Sequence, residues 1–175
     1  FRSHQQVAER VCREAVDLPG AAHSLGTAIA ARAALAGGRL DTAAELFDQV
    51  AVVLAGHATG WGFRYNVARA TTAAMRGATD EAAEILDRLD SLERPFRSLD
   101  YERSVSRAWV SAGQGAVQEA TGILRDAAAR AAAKGQYAAE VLCLQTAVQF
   151  GDRMHADRLT ELTGIVDGPR VGLVA

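Results

Sequence analysis

The sequence predicts an all-α protein, folded as a right-handed superhelix of stacked antiparallel helix hairpins. Three observations support this prediction: an excess of alanine, a recurring glycine-led segment, and apolar residues at helical spacing. Alanine makes up 37 of the 175 residues, whereas proline occurs only three times. Because alanine loses no side-chain entropy in a helix and proline interrupts one, this composition strongly favours helices.

A glycine-led segment recurs at a nearly constant interval. Residues 38–48 read Gly-Arg-Leu-Asp-Thr-Ala-Ala-Glu-Leu-Phe-Asp, and residues 77–87, 39 positions later, read Gly-Ala-Thr-Asp-Glu-Ala-Ala-Glu-Ile-Leu-Asp. Weaker copies begin at Gly115 and Gly151, after intervals of 38 and 36 residues. A period of this length is typical of proteins built from helical repeats.

Each copy is interpreted as two helices around a short turn. The glycine permits the positive φ that ends the first helix, and Asp41 and Asp80 (or Thr79) are expected to cap the second helix. Because a single hairpin cannot bury its own apolar face, the hairpins are expected to stack. The second helices carry apolar residues at i, i+3, i+4 and i+7, which predicts one buried face: Ala43, Leu46, Phe47 and Val50, then Ala82, Ile85, Leu86 and Leu89.

The repeat predicts a single domain over residues 1–175. It consists of a half-unit at 1–20, hairpins at about 21–56, 60–92, 96–134 and 136–166, and a tail at 167–175. Within the hairpins we predict helices at 21–36, 41–56, 61–76, 80–92, 98–112, 116–134, 136–150 and 152–164, with a further helix starting in 171–175. Because both ends fall within the hairpin pattern, we expect an internal fragment of a longer protein.

The composition excludes several classes of protein. A formal net charge of −2 provides no basic surface for nucleic acid or for an anionic membrane. Cys12 and Cys143 lie far apart in the sequence without a Cys-x-x-Cys pair, which excludes a disulfide scaffold and a cysteine zinc site. No apolar run approaches the ~18 residues that span a bilayer. We therefore expect no membrane partner and a cytoplasmic location.

An enzymatic function is the least favoured interpretation. The four histidines are scattered, and Asp152 with His155 is the single weak pair at the spacing of a helical metal site. The only lysine, Lys134, does not belong to a Gly-x-x-x-x-Gly-Lys-[Ser/Thr] phosphate-binding loop. We therefore predict no catalytic residue, no metal and no cofactor in this chain.

The hairpins resemble a known architecture and, more narrowly, a family of regulators. Their spacing and their glycine, alanine and bulky apolar positions are similar to the tetratricopeptide-like (TPR-like) superhelix, although each unit is longer than the usual length of about 34 residues. Three stretches resemble the helical-repeat region of large actinobacterial LuxR-type, ATP-dependent (STAND-type) transcriptional regulators. They are Arg-Ala-Trp-Val-Ser-Ala-Gly-Gln-Gly at 107–115, Ala-Val-Gln-Phe-Gly-Asp at 147–152, and residues 162–169.

The resemblance implies a regulatory role. In that family a P-loop ATPase precedes the repeats, sometimes itself preceded by a nucleotide cyclase domain, and a helix-turn-helix that binds promoter DNA follows them. This segment would be a non-catalytic region that senses an effector or a protein partner and controls the two flanking modules. ATP and promoter DNA are implied for the parent protein alone, with no direct nucleic-acid contact by this segment. The alternative is a stand-alone TPR-like adaptor that binds a protein or peptide in its concave groove.

Five residues are candidates for contacts in such a groove. Arg69 and Arg107 are 38 positions apart, so they occupy equivalent places on successive first helices and could hold an anionic ligand or an acidic peptide. The alternative is that they pair with acidic residues of the second helices or face water. The candidates are Arg64, Tyr65, Arg69, Arg103 and Arg107, and the acidic residues of the alternative are Glu81, Glu84 and Glu119.

An aromatic and basic cluster opens the second hairpin. Trp61 and Phe63 flank the candidates Arg64 and Tyr65, and aromatic side chains beside arginine are common at the centres of protein interfaces. The alternative is that the cluster packs one hairpin against the next. Self-association of the chain through its two apolar ends, giving a homo-oligomer, is a further expectation.

Overall fold

The computed structural model describes residues 6, 7, 10, 14, 20–93, 97, 99–167 and 169–175, and every regular element within them is a helix. The chain divides into two compact units, Phe1–Pro95 and Phe96–Ala175. The first unit contains α1 (Ala21–Ala36), α2 (Leu40–Gly56), α3 (Gly62–Met75) and α4 (Thr79–Asp90). The second contains α5 (Asp100–Gly113), α6 (Val117–Ala133), α7 (Tyr137–Gln149), α8 (Ala156–Leu162) and α9 (Pro169–Val174).

The all-α prediction is confirmed, and seven of the eight predicted hairpin helices begin and end within two residues of the observed bounds. The eighth was predicted from residue 152 but begins at Ala156. The backbone amide of Met154 donates a hydrogen bond to Asp152 Oδ1 over 3.0 Å, which holds this segment in a turn. The half-unit predicted at 1–20, with Cys12, lies largely outside the described residues. The expectation of one continuous domain stays a prediction.

The first unit is held together by alanines packed against larger side chains. α1 packs on α2 and α3, α2 packs on α3, and α3 packs on α4. Phe47 and Leu54 of α2 are fully buried among alanines of α1, including Ala31. The small side chains let the helices approach closely, and burial of the two large ones supplies the hydrophobic free energy.

The second unit repeats this packing along α5, α6 and α7. α6 packs on α5 and α7, α5 also contacts α7, and α8 lies against α7 and α9. Leu124, Leu144 and Leu159 belong to its core. The rings of Trp109 and Phe150 meet edge to face at its side, with centroids 4.8 Å apart.

The recurring glycines close the first helix of each hairpin in one way. Gly38 has φ +74°, its amide donates to Leu35 O over 3.0 Å, and the amide of Arg39 donates to Ala34 O over 2.9 Å. This pair of bonds is a Schellman motif, which requires a left-handed residue and therefore favours glycine. The same pair of bonds recurs at Gly77, Gly115 and Gly151, which also end first helices, and at Gly135, which ends the second helix α6. The sequence repeat predicted four of these five turns and missed Gly135.

The predicted caps of the second helices are wrong. The N-cap residues of α2 and α4 are Arg39 and Ala78, and neither helix has a side-chain cap bond. Because the Schellman turn is short, α2 begins two residues after Gly38, and α4 begins two residues after Gly77. Asp41 and Asp80 consequently lie in the first helical turn, where a carboxylate still interacts favourably with the helix dipole.

Candidate functional site

The aromatic segment before and within α3 packs on the core of the first unit. The rings of Trp61 and Tyr65 meet edge to face with centroids 6.0 Å apart, and the His57 ring lies 5.0 Å from that of Trp61. Trp61 and Tyr65 are partly buried against the cluster that contains Phe47. These contacts are expected if the aromatic cluster packs one hairpin against the next, and they leave part of each ring exposed.

Arg69 of α3 bridges the two second helices of the first unit. Its Nη2 atom lies 3.0 Å from Glu81 Oε1 of α4 and 3.5 Å from Asp48 Oδ1 of α2. The side chain is 22% exposed, and its buried Nε has no hydrogen-bond partner among the described residues. Arg69 therefore pairs with an acidic residue of a second helix, which was the alternative to ligand binding. Its second partner, Asp48, was not predicted from the sequence.

The other candidate arginines are half-buried, and none of them is without an interaction. Arg64 lies on α3 of the first unit, next to Tyr65, whereas Arg103 and Arg107 lie one turn apart on α5 of the second unit. The structure thus brings Arg64, Tyr65 and Arg69 onto one helix and Arg103 and Arg107 onto another. A role of these five residues in binding stays a prediction.

Two buried carboxylates of the second unit are paired with arginines from distant positions. Asp152 is 2% exposed and accepts a 2.7 Å hydrogen bond from Arg125 Nε. Glu140 is 5% exposed and accepts two bonds from Arg158, of 2.7 and 3.0 Å. These bonds raise the pKa of the Arg158 guanidinium. Since a buried carboxylate is stable only when it is paired, these contacts hold α6, α7 and α8 together.

The Asp152 carboxyl makes the stability of the fold depend on pH. The hydrogen bond from Arg125, followed by that from the Met154 amide, lowers the pKa of Asp152 against the opposing effect of burial. An unfolded aspartate titrates near its ordinary pKa of about 3.9. The ionised carboxylate therefore stabilises the fold above that pH, and the stabilisation is lost as the pH falls through the lower pKa of the folded state.

We expect the free energy of unfolding to decrease as the pH falls from about 5 to about 2, and we expect Asp152→Asn to remove part of this decrease. At pH 7 this substitution should cost about 1–2 kcal/mol, because Arg125 loses a charged hydrogen-bond acceptor. Urea unfolding at a series of pH values measures both effects. Asp126→Asn, which changes an exposed carboxylate of the same unit, should retain the wild-type pH dependence. Equal pH slopes for wild type and Asp152→Asn would contradict the assignment.

Cys143 has the environment of a packing residue. The side chain is fully buried in α7, and burial raises the pKa of its thiol to about 12. Because the thiolate is the nucleophilic form, a thiol with so high a pKa is unreactive at neutral pH. Cys143 therefore acts as a small buried hydrophobic residue of the core.

A small pocket of the second unit was not predicted from the sequence. It lies between the start of α5 and the end of α6, has a volume of about 30 Å³, and contains three cationic side chains. The spacing of Arg130 and Lys134 places them one helical turn apart and could have pointed to it, but Arg97 is distant in sequence. The pocket is lined by Arg97, Asp100, Tyr101, Ala127, Arg130, Ala131 and Lys134.

The described part of the chain contains neither a metal cluster nor a membrane-spanning helix. No group of three or more histidine, cysteine, aspartate or glutamate side chains there could hold a metal ion. Asp152, from the weak Asp152/His155 pair, is bound to Arg125 instead. None of the described helices is both long and apolar enough to cross a membrane.

Comparison with known proteins identifies the architecture. No protein-family model matches the chain, and no curated protein matches it. Two solved structures are similar: a putative kinesin light chain of Podosopora anserina with nearly identical TPR-like repeats, and a substituted variant of it. The variant has a TM-score of 0.57 at 20% identity, covering 94% of this chain and 93% of its own. The other structure has a TM-score of 0.54 at 20% identity, covering 99% and 93%. The chain therefore has an all-α, TPR-like repeat fold.

Proposed function

We propose that this chain is a non-catalytic protein-interaction region. The observation that carries the proposal is the TPR-like fold itself, built from hairpins that end their first helices with the same glycine turn. Stacked hairpins of this kind expose surfaces far larger than a single helix offers, and such surfaces suit the binding of a protein partner.

Within this class, we propose the regulatory region of a LuxR-type, ATP-dependent transcriptional regulator. The resemblance of residues 107–115, 147–152 and 162–169 supports this finer assignment. An effector or partner that binds one arrangement of the hairpins better than another would shift the parent protein between restrained and released states. ATP and promoter DNA would be bound by the flanking modules, in the cytoplasm, and not by this segment.

The reading frame on both sides of residues 1–175 is the first test of the regulatory assignment. We expect a P-loop ATPase before the segment and a helix-turn-helix after it. In the longer protein, deletion of residues 21–166 should change the basal rate of ATP hydrolysis about fivefold or more. A fivefold change corresponds to the lower end of typical coupling free energies between two sites. Arg153→Gln, at an exposed position, should leave the rate unchanged. A frame that encodes neither module would refute the regulatory assignment.

A stand-alone adaptor that binds a protein or peptide is the second candidate, because the TPR-like repeat fold is equally compatible with it. An open reading frame that is confined to this segment would support the adaptor. Pull-down with the intact chain would then be compared with the candidate variant Arg64→Gln and with the exposed-site control Arg153→Gln. Loss of a specific partner in Arg64→Gln alone, with unchanged helix content by circular dichroism, is expected.

A further inference from the structure

The pocket between α5 and α6 collects positive charge in a chain whose net charge is −2. Its lining contributes three cations, Arg97, Arg130 and Lys134, and a single carboxylate, Asp100. Among the residues that the structure describes, the three cations form no ion pair. The residues that line the pocket therefore carry a formal charge of +2.

The cations are not needed to complete the end of α6. The amides of Lys134 and Gln136 both donate to Ala131 O, over 3.1 and 2.9 Å, and the amide of Gly135 donates to Ala132 O over 2.9 Å. The Schellman turn at Gly135 thus satisfies these carbonyls with backbone amides. The side chains of Arg130 and Lys134 remain available to a ligand.

The size and lining of the pocket limit the ligand to a compact group. A volume of about 30 Å³ corresponds to roughly one water molecule, far below the ~300 Å³ of a site that encloses a whole small molecule. Ala127 and Ala131 form its apolar wall, and the half-buried Tyr101 lies beside them. A pocket of this size admits one oxygen of a charged head group, and the rest of the ligand lies at its mouth, among the exposed side chains of Arg97, Arg130 and Lys134.

From these observations we propose that the pocket binds the dianionic phosphate of a phosphomonoester. A phosphomonoester carries a charge of about −1.5 to −2 at pH 7, which matches the formal charge of +2 of the lining residues, whereas a single carboxylate would match only half of it. The guanidinium groups of Arg97 and Arg130 provide paired N–H donors, and Lys134 adds a point charge. The assignment concerns the ligand and does not depend on the transcriptional role.

The test is a titration of the full 175-residue chain with glucose 6-phosphate at fixed ionic strength and pH 7.5, followed by ¹H–¹⁵N NMR. We expect millimolar binding, with shifts centred on the amides of Lys134 and Gly135. The double variant Arg130→Gln/Lys134→Gln should weaken binding about tenfold or more, since two of the three charged contacts are lost. Arg97→Gln, outside the helices, tests the pocket without altering α6 and should also weaken binding.

Arg153→Gln is the matched control, because it removes one exposed positive charge from the same unit. It should bind glucose 6-phosphate within about twofold of wild type, as expected for a charge outside the site. Circular dichroism verifies that each variant keeps its helix content. Equal affinity of wild type and the double variant, or equal weakening by Arg153→Gln, would overturn the proposal.

Two further ligands test the dianion and its source. Acetate is a monoanion of about the size of the phosphate group alone. It should bind at least about fivefold more weakly than glucose 6-phosphate, and equal binding by acetate would refute a phosphate site. A phosphoserine octapeptide tests whether the phosphate belongs to a protein. Tighter binding than glucose 6-phosphate would indicate a phosphorylated partner protein, and weaker binding would indicate a small phosphorylated metabolite. Failure of every phosphomonoester to bind refutes this inference and leaves the flanking-module test of the regulatory role unaffected.

Discussion

Replacing Gly62 by alanine is expected to lower the free energy of unfolding by about 3 kcal/mol, at the upper end of the typical cost of overpacking. A Cβ atom at Gly62 would lie 2.8 Å from Leu54 O and 2.9 Å from His57 O. Both are backbone atoms, so α3 would have to move away from the end of α2. The movement would also disturb the buried Asn66 side chain, whose Nδ2 donates to Leu54 O over 2.9 Å.

Gly56→Ala is the matched control for this junction. Gly56 is the last residue of α2, and a Cβ atom there would meet nothing within 4 Å. We expect this variant to be as stable as wild type or up to about 1 kcal/mol more stable, because alanine favours the helix. Urea unfolding monitored by circular dichroism at 222 nm compares the two. A loss below about 1 kcal/mol for Gly62→Ala would show that the junction adapts to the extra methyl group.

Glu140→Ala is expected to destabilise the protein by about 2–3 kcal/mol, somewhat less than breaking a completely buried ion pair. Glu140 receives both the Nε and Nη2 hydrogen bonds of Arg158 and is 5% exposed. Its removal leaves the guanidinium, itself only 34% exposed, without its main partner. Because Arg158 lies on α8 and Glu140 on α7, the loss should loosen α8 first.

Glu161→Ala separates the buried contact from the exposed one. Glu161 binds the same arginine over 2.9 Å but is 64% exposed, so its loss should cost less than about 1 kcal/mol. Hydrogen exchange should show faster opening of α8 in Glu140→Ala than in Glu161→Ala. A double-mutant cycle with Arg158→Ala measures the coupling directly. Equal effects of the two glutamate substitutions would contradict the structural assignment.

The candidate site shows where prediction from the sequence reaches its limit. The sequence placed Arg69 on a helix surface and offered Glu81 as a partner, and that contact is present at 3.0 Å. The second partner, Asp48, lies on α2 and depends on how the second helices flank α3. The cationic pocket combines a residue before α5 with residues at the end of α6. No local pattern links such positions, because their proximity arises only when the helices pack.

By itself, the sequence determined the helices, their buried faces and four of the five glycine turns of this protein. These features depend on residues within about five positions of each other, through helical periodicity and the positive φ that glycine permits. Tertiary structure alone decided the close approach at Gly62, the pairs Arg125–Asp152 and Glu140–Arg158, and the charge of the α5–α6 pocket. The reason is physical: backbone approach, ion pairing and local charge depend on distances between atoms that are far apart in the sequence, and only packing sets those distances.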